Sequence, residues 1–130
     1  MAMSRGLADT SLFIAKESGR PFQTDLLPDE LAVSAITIGE LRAGVLAATD
    51  TTTRDQRLST LTAALALNPV PIDETVAAAW ARLRLALRDN ELKMPVNDSW
   101  IAATAIALDI PVVTQDDDFP SLGELDVVRV

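Results

Sequence analysis

Short apolar segments alternate with helical segments along this chain, and the alternation restricts its fold more than any other feature. Apolar and β-branched residues cluster between turn signals in five predicted strands, at Leu7–Asp9, Leu31–Ile36, Pro69–Ile72, Ile110–Thr114 and Val127–Val130. The predicted helices occupy Ser11–Glu17, Thr37–Ala48, Arg54–Leu67, Glu74–Arg88 and Ser99–Leu108. Alternating strands and helices favour a parallel sheet with helices on both faces. The sequence therefore predicts an α/β fold with a mostly parallel sheet.

Two helix starts carry recognisable capping signals. Asp73 directly precedes the longest predicted helix and is expected to be its N-cap. In that helix Trp80 belongs to an apolar stripe with three- and four-residue spacing, which indicates a core or subunit contact. Thr37 and Glu40 have the spacing of a capping box, so Thr37 is predicted to open its helix.

Composition limits the classes of chemistry that the chain can perform. Its 130 residues are enough for one domain with its own core, so a single domain is predicted over residues 1–130. The absence of cysteine and histidine excludes disulfides, thiolate metal sites and histidine-based catalysis. Any catalysis must use carboxylates, hydroxyls, Lys or Arg.

The chain gives no sign of membrane attachment or export. No apolar run has the length needed to cross a bilayer. The first residues, Met1–Gly6, lack an apolar stretch of signal-peptide length. We therefore expect a soluble cytoplasmic protein with no membrane partner.

The net charge of −8 argues against a protein that binds nucleic acid by bulk electrostatic attraction. The basic residues are unevenly distributed, with one group formed by Arg82, Arg84, Arg88 and Lys93 and a smaller group formed by Arg54 and Arg57. Charged residues on exposed helix faces are common. We therefore interpret both groups as solvated helix faces and not as a rim that binds a nucleic-acid strand.

Acidic residues lie at the predicted strand ends and helix starts, where each also has a structural interpretation. Asp9 ends the first strand and is a candidate N-cap, with Thr10 or Ser11 as alternatives. Glu40, taken alone, fits the capping box. Asp98 follows Asn97 at a helix start, and either residue is a suitable cap. None of these positions points to function by itself.

The fourth acidic position is a run of three, Asp116, Asp117 and Asp118, directly after the strand that ends at Thr114. Such a run is more often a solvated turn than a ligand set. One parallel sheet, however, would gather all four positions at one edge. Clustered carboxylates repel one another and retain protons, and a divalent cation relieves that repulsion.

Read in order, these motifs resemble those of the PIN-domain nucleases, and most closely the VapC toxins of type II toxin-antitoxin systems. The resemblance is carried by four segments, Asp9-Thr10-Ser11-Leu12-Phe13-Ile14, Glu40-Leu41-Arg42-Ala43-Gly44, Asn97-Asp98-Ser99-Trp100-Ile101-Ala102-Ala103 and Thr114-Gln115-Asp116-Asp117-Asp118-Phe119. It extends from about Leu7 to Val130. It implies one PIN-like domain, a three-layer α/β/α sandwich and metal-dependent endoribonuclease activity.

The resemblance also implies roles for individual residues. The family's catalytic acidic quartet falls on Asp9, Glu40, Asp98 and Asp116. Asp9, Asp98 and Asp116 are the expected ligands of Mg²⁺ or Mn²⁺, with Glu40 and Asp118 as further candidates. Asp116 is preferred over Asp118 as the fourth acid, and both assignments stay open. Supporting polar positions are Thr10, Ser11 and Thr114.

These acids suit the hydrolysis of a phosphodiester bond. Carboxylates and a divalent cation can orient a water for in-line attack, with Glu40 positioning the water. Such an attack does not need the RNA 2′-hydroxyl and leaves a 5′-phosphate and a 3′-hydroxyl. The expected partners are an RNA substrate, a cognate antitoxin protein and a second copy of the chain in a homodimer.

Two other classes of protein place acids in a similar pattern. Receiver-like domains and aspartate-nucleophile phosphatases also put an aspartate after their first strand. In the phosphatases a second acid lies two residues after the first, where this chain has Ser11. Receivers have two acids close together early in the chain and a lysine after the last strands, and this sequence has neither feature. A non-catalytic binding module with apolar grooves near Trp80 and Trp100 is the alternative outside enzymes.

Overall fold

A computed structural model describes residues 4–130, which form a parallel sheet and the helices around it. The strands are β1 (Arg5–Ala8), β2 (Glu30–Val33), β3 (Val112–Thr114) and β4 (Val127–Arg129). The helices are α1 (Thr10–Glu17), α2 (Ala35–Ala47), α3 (Thr51–Leu65), α4 (Glu74–Asp89) and α5 (Val96–Leu108), with one 3₁₀ turn at Thr24–Leu26. Residues 1–3 lie outside the described residues. They belong to the predicted domain 1–130 and to the N-terminal stretch that lacks the features of a signal peptide.

The strand order is β2-β1-β3-β4, and every pairing is parallel. β1 and β3 are the inner strands, and Leu7, Ala8, Val112 and Val113 are fully buried. Inner strands of a parallel sheet are covered on both faces, which explains their continuous apolar sequences. Because all strands run the same way, their carboxyl ends meet at one edge, and the chain enters a helix there after β1 and β2.

Adjacent residues of one strand contact different helices, as the alternation of side chains along a strand requires. Leu7 belongs to the same buried cluster as Leu83 and Leu87 of α4 and Ile101 of α5. The next residue, Ala8, packs with Leu12 of α1 on the opposite face. Helices therefore cover both faces of the sheet, and the predicted α/β/α sandwich is confirmed.

The second strand is shorter than predicted, and the helix after it begins earlier than predicted. β2 ends at Val33, and Ser34 caps α2 by accepting a hydrogen bond from the backbone N of Ile36 at 3.1 Å. Thr37 is therefore not the N-cap, and the capping box with Glu40 is wrong. The β-branched residues Ile36 and Thr37 suggested a strand although they belong to the first turn of a helix.

Two other helices begin three residues earlier than predicted. α3 begins at Thr51 instead of Arg54, because Asp50 accepts a hydrogen bond from the backbone N of Thr53 at 2.8 Å. α5 begins at Val96 instead of Ser99, so Asp98 lies within its first turn and neither Asn97 nor Asp98 is the cap. The predicted cap of α4 is confirmed, since Asp73 accepts from the backbone N of Val76 at 2.9 Å.

The segment Pro69–Ile72 does not form a strand. It makes one parallel bridge, between Val70 and Ser34, with hydrogen bonds from Val70 N to Val33 O and from Ala35 N to Val70 O. Pro69 and Pro71 flank Val70 and have no N–H to donate, so the ladder cannot extend. The segment therefore ends as a single contact at the edge of β2.

Helix lengths in the described part of the chain bear on membrane insertion. No helix within residues 4–130 is both long enough and apolar enough to span a bilayer.

Gly6 is the position where the sheet tolerates a side chain least. A Cβ built there would overlap Cγ2 of Val113 and lie 2.9 Å from Cγ of Pro28. We expect Gly6→Ala to lower the free energy of unfolding by about 1–3 kcal/mol, because the inner strands cannot separate without breaking their ladder. Urea denaturation measures the change.

A matched control for this variant is Gly39→Ala on α2. A Cβ at Gly39 would meet no atom within 4 Å, and alanine is a better helix former than glycine by about 1 kcal/mol. The two substitutions should therefore change stability in opposite directions. Equal effects would contradict the close packing of β1 against β3.

Candidate active site

Asp9 lies at the carboxyl end of β1, in the middle of the sheet edge. Its backbone N donates to Val113 O at 3.0 Å, so the β1–β3 pairing continues as far as this residue. The residue is only 2% exposed. Although Asp9 occupies the N-cap position of α1, its side chain caps no backbone N–H. Its carboxylate accepts from Ser11 Oγ at 2.6 Å and from Thr114 Oγ1 at 3.0 Å.

The end of β3 is tied to the start of α1 by hydroxyl groups. Thr114 is fully buried, and its Oγ1 accepts a hydrogen bond from Asp116 N at 2.9 Å while donating to Asp9. Ser11 Oγ accepts from Gln115 N at 3.0 Å. The predicted supporting residues Ser11 and Thr114 therefore fix the Asp9 carboxylate and the backbone that leads into the acidic run.

Glu40 reaches the same edge from α2. Thr10 Oγ1 donates to Glu40 Oε1 at 2.7 Å. Thr10 Oγ1 also lies 3.1 Å from Thr37 Oγ1. A hydroxyl has one proton, and Thr10 gives it to the carboxylate, so Thr37 is the donor in that contact. The predicted site residues Thr10 and Glu40 are thus connected directly.

Thr37 is a site residue that the sequence interpretation missed, because it was assigned to a helix cap. It is fully buried, and it lies one turn before Glu40 on the same face of α2. Its three-residue spacing from Glu40 was the available signal, once the helix is known to begin at Ala35.

Asp98 projects from the first turn of α5 and is partly buried. Its pKa is raised to about 6, first by burial and then by the charges of Asp118, Asp9, Glu40 and Asp116, in that order of effect. All five predicted acids are therefore close enough for their charges to interact. The sheet edge concentrates negative charge around Asp98.

The pKa of Asp9 is also raised to about 6, chiefly by burial. The hydrogen bonds from Ser11 and Thr114 lower the pKa, and the charge of Asp116 raises it. Two opposing effects thus act on one carboxylate, and desolvation is the larger. The hydroxyls reduce the cost of keeping this buried group ionised without removing it.

The three consecutive acids separate into different roles in the structure. Asp117 turns away and pairs with Arg129, with its Oδ1 2.6 Å from Nη1. Asp116 acts on both Asp9 and Asp98, whereas Asp118 has the larger effect on Asp98. Both Asp116 and Asp118 therefore face the acidic edge, and the preference for Asp116 as fourth acid stays a prediction.

The oxygen donors at this edge are those that Mg²⁺ and Mn²⁺ prefer, since all are carboxylates and hydroxyls. Within residues 4–130, no three acidic side chains are already oriented together as a coordination site. Asp9 and Glu40 are instead directed toward hydroxyl groups of this chain. The donor chemistry fits a hard divalent cation, and any carboxylate that binds such an ion must be deprotonated.

Comparison with known proteins places this geometry in a family. Residues 7–125 match the PIN domain family. Ribonuclease VapC5 of Mycobacterium tuberculosis is 45% identical over 128 residues, which cover 96% of this chain and 95% of the relative. Ribonuclease VapC4 of the same organism is 45% identical over 131 residues, with full coverage of both chains.

A solved structure supports the same assignment. The crystal structure of VapBC-5, a member of the VapBC family of toxin-antitoxin systems from Mycobacterium tuberculosis, contains a chain that aligns with a TM-score of 0.89. The two chains are 41% identical, and the alignment covers 98% of this chain and 99% of the other.

The raised pKa of Asp98 predicts an unusual dependence of stability on pH. Its pKa is about 6 in the folded state and 3.8 ordinarily, so the folded protein holds this proton more tightly than the unfolded chain. Stability should therefore fall as pH rises from about 4 to 7. Asp98→Asn removes this charge and should stabilise the protein at pH 8 in EDTA by about 1–2 kcal/mol, after allowance for partial exposure.

Thermal unfolding followed by circular dichroism measures this difference, which should disappear near pH 4. Asp55→Asn is the control, because Asp55 is an exposed acid on α3. A lower melting temperature for Asp98→Asn than for wild type at pH 8 would show that Asp98 is not under electrostatic strain.

The hydroxyl of Thr114 should set the pKa of Asp9. Thr114→Val keeps the shape of the side chain but removes a hydrogen bond that lowers this pKa. We expect the pKa of Asp9 to rise above about 6, as followed by carbon NMR of the carboxyl group.

Thr104→Val is the matched control, because Thr104 is equally buried but bonds to Trp100 O within α5. A pKa of Asp9 that is unchanged by Thr114→Val, or changed equally by both variants, would exclude this role of Thr114.

Proposed function

Since the chain belongs to the PIN-domain family, and within it to the VapC ribonucleases, we propose that it is a metal-dependent endoribonuclease and the toxin of a toxin-antitoxin pair. The observation that carries the proposal is the acidic edge, where four other carboxylates act on Asp98. A purely structural role does not require this repulsion. A divalent cation would relieve it, and Mg²⁺ or Mn²⁺ fits the oxygen donors.

We assign metal binding to Asp9, Asp98 and Asp116, with Glu40 and Asp118 as further candidate ligands. When bound, a divalent cation supplies positive charge against the phosphate oxygens during in-line attack. The protein keeps Asp9 in place through Ser11 and Thr114. This preorganisation matters because a ligand that must first be oriented binds its ion more weakly.

We assign to Glu40 the orientation of the attacking water. Among the described residues its only protein donor is Thr10, which bonds to Oε1. Oε2 therefore keeps its capacity to accept a hydrogen bond from a water. The Thr37–Thr10–Glu40 chain of hydroxyls holds the carboxylate in one rotamer. Attack by water yields a 5′-phosphate and a 3′-hydroxyl.

An antitoxin protein is the partner that the relatives suggest, because the aligned VapBC-5 structure is of a toxin-antitoxin system. An apolar pocket of about 690 Å³ between α1 and α3, with Leu12, Phe13, Phe22 and Leu31 in its lining, is a suitable surface for it. We also propose a homodimer, for which the exposed apolar side chains of Leu85 and Val96 offer contact surface, and a cytoplasmic location, where RNA is found.

Substitutions of the proposed metal ligands offer a sharp test of the mechanism. We expect Asp98→Asn and Asp116→Asn to lower the rate of RNA cleavage in Mg²⁺ by at least about 100-fold, because each removes a charged ligand or a neighbour of the metal. EDTA should abolish cleavage, and Mn²⁺ should restore it. The assay uses partner-free protein and resolves the termini of the products.

Asp117→Asn is the matched control, since Asp117 belongs to the same run but pairs with Arg129. It should cleave at close to the wild-type rate. Cleavage that survives EDTA, or products that end in a cyclic phosphate, would contradict the proposed mechanism.

A further inference from the structure

A basic cleft lies at the carboxyl end of α4 and is separate from the acidic edge. We call it the α4 cleft, and it is lined by Arg84, Leu87, Arg88, Leu92, Lys93 and Met94. Its volume is about 370 Å³. Leu87 and Met94 are buried and form its floor, whereas the cationic residues are exposed.

The α4 cleft concentrates positive charge in an acidic protein. Three of the chain's 11 basic residues line it, although the net charge is −8. Within residues 4–130, Arg84 and Lys93 pair with no carboxylate, and Arg88 pairs only with its neighbour Asp89 at 3.2 Å. That pair is largely exposed, so it contributes little and can be exchanged for another anion.

The other basic residues of the sequence groups have structural partners. Arg82 pairs with Glu124, with Nε 2.8 Å from Oε2. Arg54 donates to Ala48 O and Arg57 to Gly44 O, both at 2.8 Å. Within the two basic groups of the sequence, as far as the structure describes them, the residues with neither a salt bridge nor a backbone carbonyl partner are Arg84 and Lys93, and both line the α4 cleft.

The residues of the α4 cleft are close in sequence to those of the acidic edge. Lys93 precedes Asp98 by five residues, so their Cα atoms are at most about 18 Å apart. The intervening segment is anchored by the buried Met94 and by the start of α5 at Val96. A short stretch of single-stranded nucleic acid can bridge this distance.

Two tryptophans connect the α4 cleft to the start of α5, where Asp98 also lies. The guanidinium of Arg84 lies 5.4 Å from the centroid of the Trp80 ring. Trp80 stacks on Trp100 at 4.5 Å, with an interplanar angle of 4°. Trp80 Nε1 also donates to Ser99 Oγ at 3.0 Å. Arg84 is therefore held at the wall of the cleft by a contact that leaves its N–H donors available.

We infer that the α4 cleft is a subsite for the phosphate backbone of single-stranded RNA, outside the bond that is cleaved; this inference rests on the proposed ribonuclease function. Arg84 and Arg88 are one turn apart on the same helix face, which places two planar donor groups side by side. Phosphodiester oxygens match such donors. The negative end of the α4 dipole opposes an anion, but its effect is smaller than that of three cations.

RNA binding in EDTA tests the subsite without cleavage. The probe is a fluorescein-labelled single-stranded RNA of 12 nucleotides with mixed sequence, followed by anisotropy between 50 and 200 mM salt, a range where phosphate contacts dominate. We expect Arg88→Gln and Lys93→Gln each to weaken binding about 5-fold and to reduce the slope of log affinity against log salt by about 0.7. The triple variant R84Q/R88Q/K93Q should lose about 2 units of slope.

The matched control is Arg5→Gln. Arg5 is an exposed arginine that also pairs with one acid, Glu30, but it lies at the opposite end of β1 from Asp9. The Arg5→Gln variant should have the RNA affinity and the salt slope of the wild type. Circular dichroism confirms that each variant is folded.

Cleavage kinetics in Mg²⁺ separate this inference from the proposed function. The triple variant should raise KM with kcat little changed, whereas Asp98→Asn should lower kcat. Wild-type cleavage together with a triple variant that matches Arg5→Gln in KM and salt slope would overturn the subsite and leave the function intact. Failure of the wild type to bind and cleave RNA would overturn both. A triple variant with unchanged RNA affinity but altered oligomer mass in light scattering would make the cleft a protein interface instead.

Discussion

The pairing of β1 with β3 is the constraint on which the rest of the site depends. It continues beyond the strand to Asp9, whose backbone N donates to Val113 O, and the buried Thr114 then bonds the Asp9 carboxylate. The same ladder that closes the core therefore fixes the central acid. Gly6 makes this possible, because a side chain there would collide with Val113 and Pro28. Stability and site geometry share one set of contacts.

The site works against the stability of the fold that positions it. Desolvation and neighbouring charges raise the pKa values of Asp9 and Asp98, which means that their ionised forms cost free energy at neutral pH. Hydroxyls from Ser11 and Thr114 offset part of that cost at Asp9 by donating to its carboxylate. At acidic sites of this kind, a bound cation can offset the repulsion between the carboxylates.

The sequence was sufficient for the fold class and for the acids that meet at the sheet edge, because both depend on local patterns and on the common edge of parallel strands. It was less reliable where two local signals compete. Ser34 and Thr37 are both capping residues by type, and only the tertiary bridge from Ser34 to Val70 shows where β2 ends. The hydrogen bond from Thr10 to Glu40 spans 30 residues, and no local pattern predicts such a contact.

Charge shows the same limit more clearly. Arg54, Arg57, Arg84 and Arg88 look alike in the sequence, but two of them bond to backbone carbonyls of the chain and the other two line a cleft. Asp117 likewise differs from its neighbours only because Arg129 is within reach. Which charges are free depends on which partners the folded chain brings within reach. Residue type alone therefore predicts the donor set of this site better than its electrostatics.

An acidic ribonuclease must bind a polyanion with little help from its net charge. The arrangement of this chain divides the task between two regions joined by α5. In the proposed mechanism the acidic edge needs a cation before phosphate can approach it, whereas the α4 cleft offers cations of its own. Since long-range attraction is weak at physiological salt, local concentration of charge matters more than the total of −8. The separation also keeps the cationic side chains from neutralising the carboxylates that we propose as metal ligands.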